Sequence, residues 1–141
     1  MTGWPRLLWL APLLLVACGP GRRTFEAPVE LNGVTVAPEV LNRGEMAYMR
    51  YCRGCHGQTG HGDGPYSSSM EPRPADLTTG RYRTMGDGEL PSDAALMTLL
   101  EEGIDGTGMR PIAMTDEDRN AVVQYLKTLS PRWMNAQPSG S

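Results

Sequence analysis

The sequence is poor in lysine, in phenylalanine and in long apolar runs. These shortages argue against a nucleic-acid partner, a large aromatic core and an ordinary membrane-spanning helix. Among 141 residues there is one Lys, one Phe, and an N-terminal apolar run of 11 residues from Leu7 to Ala17. With so little lysine and a formal net charge of −3, nothing indicates nucleic acid as a partner. The run is too short for an ordinary membrane-spanning helix. Gly and Pro together number 29, which predicts a loop-rich domain that struggles to bury enough apolar surface alone.

The N-terminus is typical of a targeting segment. Arg6 precedes the apolar run, which ends in Leu15-Val16-Ala17-Cys18 and resembles a bacterial lipobox. We therefore predict a lipoprotein signal peptide over residues 1–17 and a lipidated Cys18, with residues 18–38 as a flexible tether spanning about 25 Å. Loss of residues 1–17 leaves 12 basic and 16 acidic residues, a formal net charge of −4.

These predictions place the mature chain on the periplasmic side of a bacterial membrane. Gly19 follows the cysteine, where an Asp favours the inner membrane, so the outer membrane is slightly favoured. The alternative is an ordinary cleaved signal that leaves Cys18 as a free thiol, an odd remainder in an exported protein.

The remaining two cysteines lie in one motif, so no pair is left for a structural disulfide. The run Cys52-Arg53-Gly54-Cys55-His56 is the C-x-x-C-H signature of covalent haem c attachment. The two thiols add to the haem vinyl groups as thioethers, and the adjacent imidazole ligates the iron. The sequence therefore predicts one haem c, held by Cys52, Cys55 and His56.

Two other interpretations of this cluster are weaker. A zinc site would use Cys52, Cys55, His56 and His61, but adjacent residues are awkward as two corners of a tetrahedron, and separate C-x-x-C and H-x₃₋₅-H arms are missing. A thioredoxin-like redox pair would need a βαβ context, which the sequence does not show.

Periodicity predicts an all-α fold with three main helices and long loops, and no β-sheet. The helices are predicted over 42–52, with a capping-box-like Asn42 and Glu45, over 92–102, and over 116–129 with Thr115 as N-cap. The folded domain is predicted over 39–132, with a flexible tail over 133–141. Gly44 is expected to mark a close crossing with the last helix, and Tyr48 and Tyr125 to pack in the core.

The sixth iron ligand must come from elsewhere in the chain. Met109 lies in a glycine-rich loop just before the last predicted helix, where small residues let the backbone approach a flat cofactor. We predict Met109 as the distal ligand, with Met85 next and His61 third. For His61, an exposed loop residue is the favoured interpretation.

The segment from about Leu41 to Pro131 resembles class I bacterial cytochromes c, in particular monohaem, lipoprotein-anchored periplasmic members. The resemblance rests on GEMAYMRYCRGCHGQTGHGDGP, RPADLTTGRYR, ELPSDAALMTLLEEGIDGTGMRP and DEDRNAVVQYLKTLSP. It implies that His56 is the proximal ligand and Met109 the distal one. It also implies that the Pro65 carbonyl accepts the His ring N–H, and that Arg81 and Arg83 pair with the haem propionates.

The resemblance implies an electron carrier rather than an enzyme. Its expected partners are redox proteins or a membrane respiratory complex, met through a patch that is apolar or differently charged from a lysine ring. Alternatives are a fixed subunit of such a complex, a haem enzyme or gas sensor with a labile sixth ligand, and a docking module whose haem is only a core element.

Overall fold

The computed structural model describes residues 22–82 and 88–135. The two described ranges hold a two-stranded sheet, five helices and two 3₁₀ turns at Ser67–Ser69 and Leu77–Thr79. The strands are β1 (Val29–Leu31) and β2 (Val34–Val36), and the helices are α1 (Pro38–Tyr51), α2 (Arg53–His56), α3 (Asp93–Glu102), α4 (Asp116–Lys127) and α5 (Pro131–Met134).

The small, mostly helical fold confirms the predicted class, and the three main helices are α1, α3 and α4. Helix α3 begins after Ser92, whose hydroxyl accepts from the Ala95 N–H at 3.1 Å. Helix α4 begins after Thr115, whose hydroxyl accepts from the Asp118 N–H at 3.1 Å. Local capping chemistry therefore predicted both starts.

Helix α1 begins four residues before the predicted start. Pro38 occupies its first turn, where the missing N–H costs nothing. The predicted cap at Asn42 and Glu45 is wrong, because both residues lie inside the helix and bind the preceding chain instead. The Phe25 N–H donates to Asn42 Oδ1 at 2.8 Å, and Asn42 Nδ2 donates to the Phe25 carbonyl at 2.9 Å.

The α1–α4 crossing forms the centre of the fold, as Gly44 predicted. A Cβ atom at Gly44 would lie 2.1 Å from the Ala121 carbonyl oxygen and 2.7 Å from Tyr125 Cβ. Tyr48 and Tyr125 are fully buried beside this contact, with ring centroids 5.3 Å apart, which confirms their packing role. The missing side chain at residue 44 lets the two backbones touch.

A β-hairpin contradicts the prediction that the chain has no sheet. Leu31 pairs with Val34, and the two-residue turn between them is Asn32-Gly33, both with positive φ (53° and 75°). Asn-Gly between apolar residues is a strong signal for this turn, because both residues tolerate a left-handed backbone. The sequence carried that signal. Val34–Val36 could be expected to form a short strand, but its pairing with Val29–Leu31 was missed.

The predicted tether is wrong over its described part, residues 22–38. Leu31 and Val36 are buried in the core, and Arg22 makes a paired contact with the buried Glu45, with Nη2 2.9 Å from Oε2. Phe25 also packs edge-on against Tyr125, with ring centroids 6.2 Å apart. We call residues 22–28 the arm; it lies against α1 and α4.

The predicted tail boundary at residue 133 is also wrong. Trp133 is 1% exposed, and its carbonyl accepts from the Asn32 N–H at 2.7 Å. Ser130 caps α5, and this short helix packs the indole under β1. The domain therefore extends through α5, because a Trp side chain buries a large apolar area.

Across the described ranges, no helix is long and apolar enough to cross a bilayer.

Candidate functional site

The C-x-x-C-H motif lies at the junction of α1 and α2. The Cys52 N–H donates to the Tyr48 carbonyl at 2.8 Å, and the His56 N–H donates to the Cys52 carbonyl at 2.9 Å. Because the helical path continues through the motif, Cys52 and Cys55 are three residues apart on one face. Both thiols and the His56 ring line the same cleft.

The loop after the motif is packed closely onto it. A Cβ atom at Gly64 would lie 2.5 Å from the Gly54 carbonyl oxygen, which also accepts from the Tyr66 N–H at 2.9 Å. Tyr48 donates its hydroxyl to the Gly57 carbonyl at 2.7 Å. Glycine at position 64 lets the loop backbone lie against the motif, which holds the attachment residues in one arrangement.

The His56 ring is oriented by the Ala75 carbonyl. His56 Nδ1 lies 3.0 Å from the Ala75 carbonyl oxygen, so Pro65 is not the acceptor and that prediction is wrong. A carbonyl only accepts, so Nδ1 carries the proton and Nε2 keeps its lone pair for a metal. Burial lowers the pKa of His56, and the hydrogen bond to Ala75 partly opposes this.

Neither motif cysteine forms a disulfide within the described part of the chain. Cys52 is 6% exposed, and burial raises its pKa to about 12. Burial also raises the pKa of Cys55, which is less enclosed. Thiols of this kind are neutral at neutral pH and line an apolar wall, which suits attachment to an apolar cofactor edge.

The loop between α3 and α4 carries Met109 to the cleft. Gly103 has a φ of 73°, which turns the chain sharply at the end of α3. The Ile104 N–H donates to the Met109 carbonyl at 2.8 Å, and the Met109 N–H donates to Thr107 Oγ1 at 3.0 Å. These bonds close the loop on itself, so Met109 lines the cleft from a constrained backbone.

The cleft has about 980 Å³ of space, part of it open to solvent. Leucines of α3, Leu126 of α4 and prolines of the 70–75 segment make most of its wall. It also receives a second thioether, Met70, which the sequence analysis did not consider. A Cβ atom at Gly108 would lie 3.1 Å from Met70 Sδ, so Met70 packs on the backbone next to Met109. Arg73, also in the wall, was missed as well.

The other predicted site residues lie elsewhere. The His61 side chain is 55% exposed, 3.6 Å from Asp76, and is not part of the cleft wall. Arg81 is exposed. Cys18, Arg83 and Met85 lie outside the described residues.

The zinc interpretation is contradicted where it can be examined. No three His, Cys, Asp or Glu side chains within residues 22–82 and 88–135 form a metal-binding group, and all four residues of the proposed set are described.

These residues fit a covalent haem. Two thiols, an oriented imidazole and thioether sulfurs line one apolar cleft, and this set matches the thioether attachments and axial ligands of haem c. In addition, the buried hydroxyl of Tyr82, a cleft residue, has no hydrogen-bond partner in the described part of the protein.

Comparison with known proteins agrees with this chemistry. Residues 39–126 match the family described as cytochrome C oxidase, cbb3-type, subunit III. The chain is also similar to a structure titled "Kuenenia stuttgartiensis reducing HAO-like protein complex Kustc0457/Kustc0458", with a TM-score of 0.64 and 37% sequence identity. That match covers 70% of this chain and 46% of the other, so this chain spans less than half the length of its structural relative. No match was found among curated proteins.

Proposed function

Because the chain belongs to the cbb3-type cytochrome c oxidase subunit III family, whose domain carries covalent haem c with its iron, we propose that it is a membrane-anchored monohaem cytochrome. It carries single electrons between respiratory redox partners and is not an enzyme. The observation that carries the proposal is the cleft in which the C-x-x-C-H motif and the Met109 loop meet.

In this proposal, Cys52 and Cys55 form the thioether bonds, and His56 Nε2 and Met109 Sδ ligate the iron. When bound, haem c supplies a one-electron ferric/ferrous couple. Burial favours the neutral form of His56. The Ala75 carbonyl orients the ring and makes it a stronger electron donor to a metal. Met109 contributes a neutral thioether, and His/Met ligation raises the reduction potential.

The leucines of the cleft wall shield the inner part of the site from water. Leu96 and Leu100 are 1% and 2% exposed, and Leu126 closes the wall from α4. A dry, apolar surrounding disfavours the more highly charged state of the iron, so the wall also favours a high potential. Filled axial positions and a packed wall suit electron transfer better than substrate binding.

The optical spectra of the oxidised and reduced holoprotein test the ligand set. We expect a methionine–iron charge-transfer band in the ferric protein that Met109→Ala removes and Met70→Ala keeps. Met70 is the matched control because its thioether lines the same cleft. If Met70→Ala alone removes the band, the distal ligand is Met70 and the assignment of Met109 fails.

Carbon monoxide separates the carrier from an enzyme or gas sensor. The native ferrous protein should not bind carbon monoxide readily, because Met109 occupies the sixth position, whereas Met109→Ala should bind it. Ready binding of carbon monoxide by the native ferrous protein would refute the electron-carrier role.

The lipid anchor at Cys18 is the second part of the proposal. The arm is bound to α1 from Arg22 onward, which leaves four residue steps from Cys18, a reach of at most about 14 Å. A diacylated Cys18 would hold the domain close to the periplasmic surface of the membrane, the outer membrane being slightly favoured.

Mass spectrometry of the mature N-terminal peptide tests the anchor, and acyl chains on Cys18 are the expected result. Cys18→Ser should release a folded, haem-bearing protein into the soluble fraction. An unmodified N-terminal cysteine on a soluble native protein would refute the lipid anchor but would not bear on the proposed haem site.

A fixed place in a redox complex is the second candidate. The structural relative belongs to a HAO-like protein complex, which favours a subunit role for this domain. Lys127, the chain's single lysine, is 4% exposed, so a partner meets a surface without lysine. Gentle detergent extraction should give a free monomer if the protein is a carrier and a stable larger assembly if it is a subunit.

A further inference from the structure

Met70 contacts the loop that carries Met109. A Cβ atom at Gly108 would lie 3.1 Å from Met70 Sδ and 3.4 Å from both Met70 Cγ and Met70 Cε. Three consecutive heavy atoms of the Met70 side chain therefore lie against the backbone of Gly108, the residue before Met109. Both methionines line the cleft, so this contact joins two separate segments of its wall.

The segment that leads to Met70 is bound to the attachment motif. The Tyr66 N–H donates at 2.9 Å to the carbonyl of Gly54, which lies between the two motif cysteines. The 3₁₀ turn Ser67–Ser69 follows, and the Met70 N–H donates to the Ser67 carbonyl at 3.3 Å. Met70 is therefore placed by a backbone that is fixed to the motif.

The loop over residues 104–109 is closed on itself. The Thr107 hydroxyl and N–H donate to the Ile104 carbonyl at 2.8 Å and 3.2 Å, and the Ile104 N–H donates to the Met109 carbonyl at 2.8 Å. In the part of the chain that the structure describes, the hydrogen bonds of this loop all stay inside it. The position of the loop over the cleft therefore depends on apolar packing, to which Met70 contributes.

We propose that Met70 is a positioning residue: by packing on Gly108 it keeps Met109 on the iron, and it does not ligate the iron itself. The proposal rests on the proposed function, because it requires haem c in the cleft with Met109 as the distal ligand. Met70 suits this role, since its side chain is unbranched, apolar and only partly exposed. Without the contact, the loop leaves the cleft more often and the sixth position of the iron opens to solutes.

The test is the displacement of Met109 by imidazole in the ferric holoprotein, followed as loss of the methionine–iron charge-transfer band. At saturating imidazole, the rate of displacement is the rate at which the loop opens. Met70→Ala should keep the band before imidazole is added and open about tenfold faster, because the loop loses part of its packing. Met70→Leu should open at nearly the parent rate, because leucine fills a similar apolar volume.

Met97→Ala is the matched control for a general loss of packing. Met97 is a partly buried methionine that packs on the core from α3 and is not in the cleft wall. Its replacement should leave the rate of imidazole entry at the parent value, although it removes the same side-chain atoms.

Gly108→Ala tests the contact from the other side. The added Cβ forces Met70 to shift, so imidazole should enter faster than in the parent. In the double variant with Met70→Ala the new methyl group meets no thioether, so entry should be no faster than in Met70→Ala alone. Such non-additivity is expected of two residues in contact.

The proposal would be overturned by a parent-like rate in Met70→Ala, or by equal acceleration in Met97→Ala. Full additivity of Met70→Ala and Gly108→Ala would also overturn it. If Met70→Leu opened as fast as Met70→Ala, the sulfur and not the packing would matter, which contradicts a positioning role. Failure of the proposed function is distinct: the parent would then show no methionine–iron band before any imidazole is added, and both proposals would fall.

Discussion

His56 Nδ1 lies 3.0 Å from the backbone carbonyl oxygen of Ala75, a residue 19 positions further along the chain. This contact selects the tautomer in which Nε2 can bind a metal. It also joins the attachment helix to the 70–75 segment that forms one wall of the cleft. Ligand orientation and cleft shape are therefore linked through one backbone group.

Gly62→Ala should weaken this contact. Gly62 has a φ of 75°, and an added Cβ would lie 2.5 Å from the Pro74 carbonyl oxygen and 3.2 Å from that of Ala75. Displacing these carbonyls makes the imidazole a poorer donor, so the midpoint potential should rise and the ring N–H should exchange faster with solvent. Gly88→Ala is the control, with a φ of 103° and no described atom within 4 Å of the added Cβ. Equal potentials in both variants would contradict the prediction.

Gly44→Ala should destabilise the protein, although alanine favours helix by about 1 kcal/mol. The added Cβ would meet the Ala121 backbone at 2.1 Å, so α1 and α4 must separate, at a cost of about 1–3 kcal/mol. Urea unfolding of the holoprotein measures the change. Gly54→Ala should be nearly neutral, because its added Cβ meets only the ring of Tyr66, which is 63% exposed and can move. If Gly44→Ala were more stable than the parent, the α1 and α4 backbones would have to lie farther apart than the structure places them.

Asn42→Ala should release the arm. It removes both hydrogen bonds to Phe25, for a loss of about 1–3 kcal/mol in the free energy of unfolding. Hydrogen exchange should become faster in residues 22–28 and stay slow in α4. Glu26→Ala, at an exposed position of the arm, is the control and should leave the exchange unchanged. Uniform loss of protection over the whole chain would argue against a locally bound arm.

The free energy of unfolding should fall less when the buried Lys127 is replaced by an uncharged residue than when its partner Asp93 is removed. Lys127 is 4% exposed, forms an ion pair with the half-exposed Asp93, donates to Gln124 Oε1 at 3.1 Å, and lies 5.5 Å from the Trp133 ring centroid. Asp93→Ala leaves a buried cation, which should cost about 3 kcal/mol, whereas Lys127→Met should cost far less because methionine fills similar space. The double variant should recover most of the loss. Chemical unfolding of the three variants checks the order, and equal losses in both single variants would refute it.

The Arg43–Asp118 pair should give a pH-dependent contribution to stability. The hydrogen bond from Arg43 Nε, at 2.7 Å, is the main reason that the pKa of Asp118 is lowered from 3.8. Stability from this pair is therefore present above about pH 4 and lost as the pH falls through the lower folded-state pKa. Asp118→Asn should lower the melting temperature at pH 7, and the difference from the parent should shrink as the pH falls below about 4. Arg43→Gln should lower the melting temperature over the same pH range. A difference from the parent that does not change with pH would show that the ion pair is not its cause.

Local chemistry was sufficient for the parts of the molecule that depend on neighbouring residues. Ser92 and Thr115 predicted two helix starts, because an N-cap hydroxyl acts within three residues. Gly44 predicted the close crossing, since a glycine inside a helix needs a reason. The hairpin was also available from Asn32-Gly33, and it was missed through the brevity of its strands.

The remaining features are contacts between distant parts of the chain. The choice of Ala75 over Pro65, the approach of Met70 to Gly108, and the arm on α1 each join residues that no periodicity relates. Trp133 was predicted to belong to a flexible tail because the apolar pattern ends before it. In the structure its side chain is buried and its carbonyl accepts from Asn32 of the hairpin turn.

The sequence by itself predicted which atoms would hold the cofactor: the two thiols, the imidazole and a thioether in a glycine-rich loop. Covalent and ligand chemistry depend on residue type and short spacing, so they can be read from the chain. Only the tertiary structure decided which carbonyl orients His56 and which thioethers reach the cleft. Those outcomes depend on how distant segments pack, because packing and the pairing of buried polar groups act through space and not along the chain.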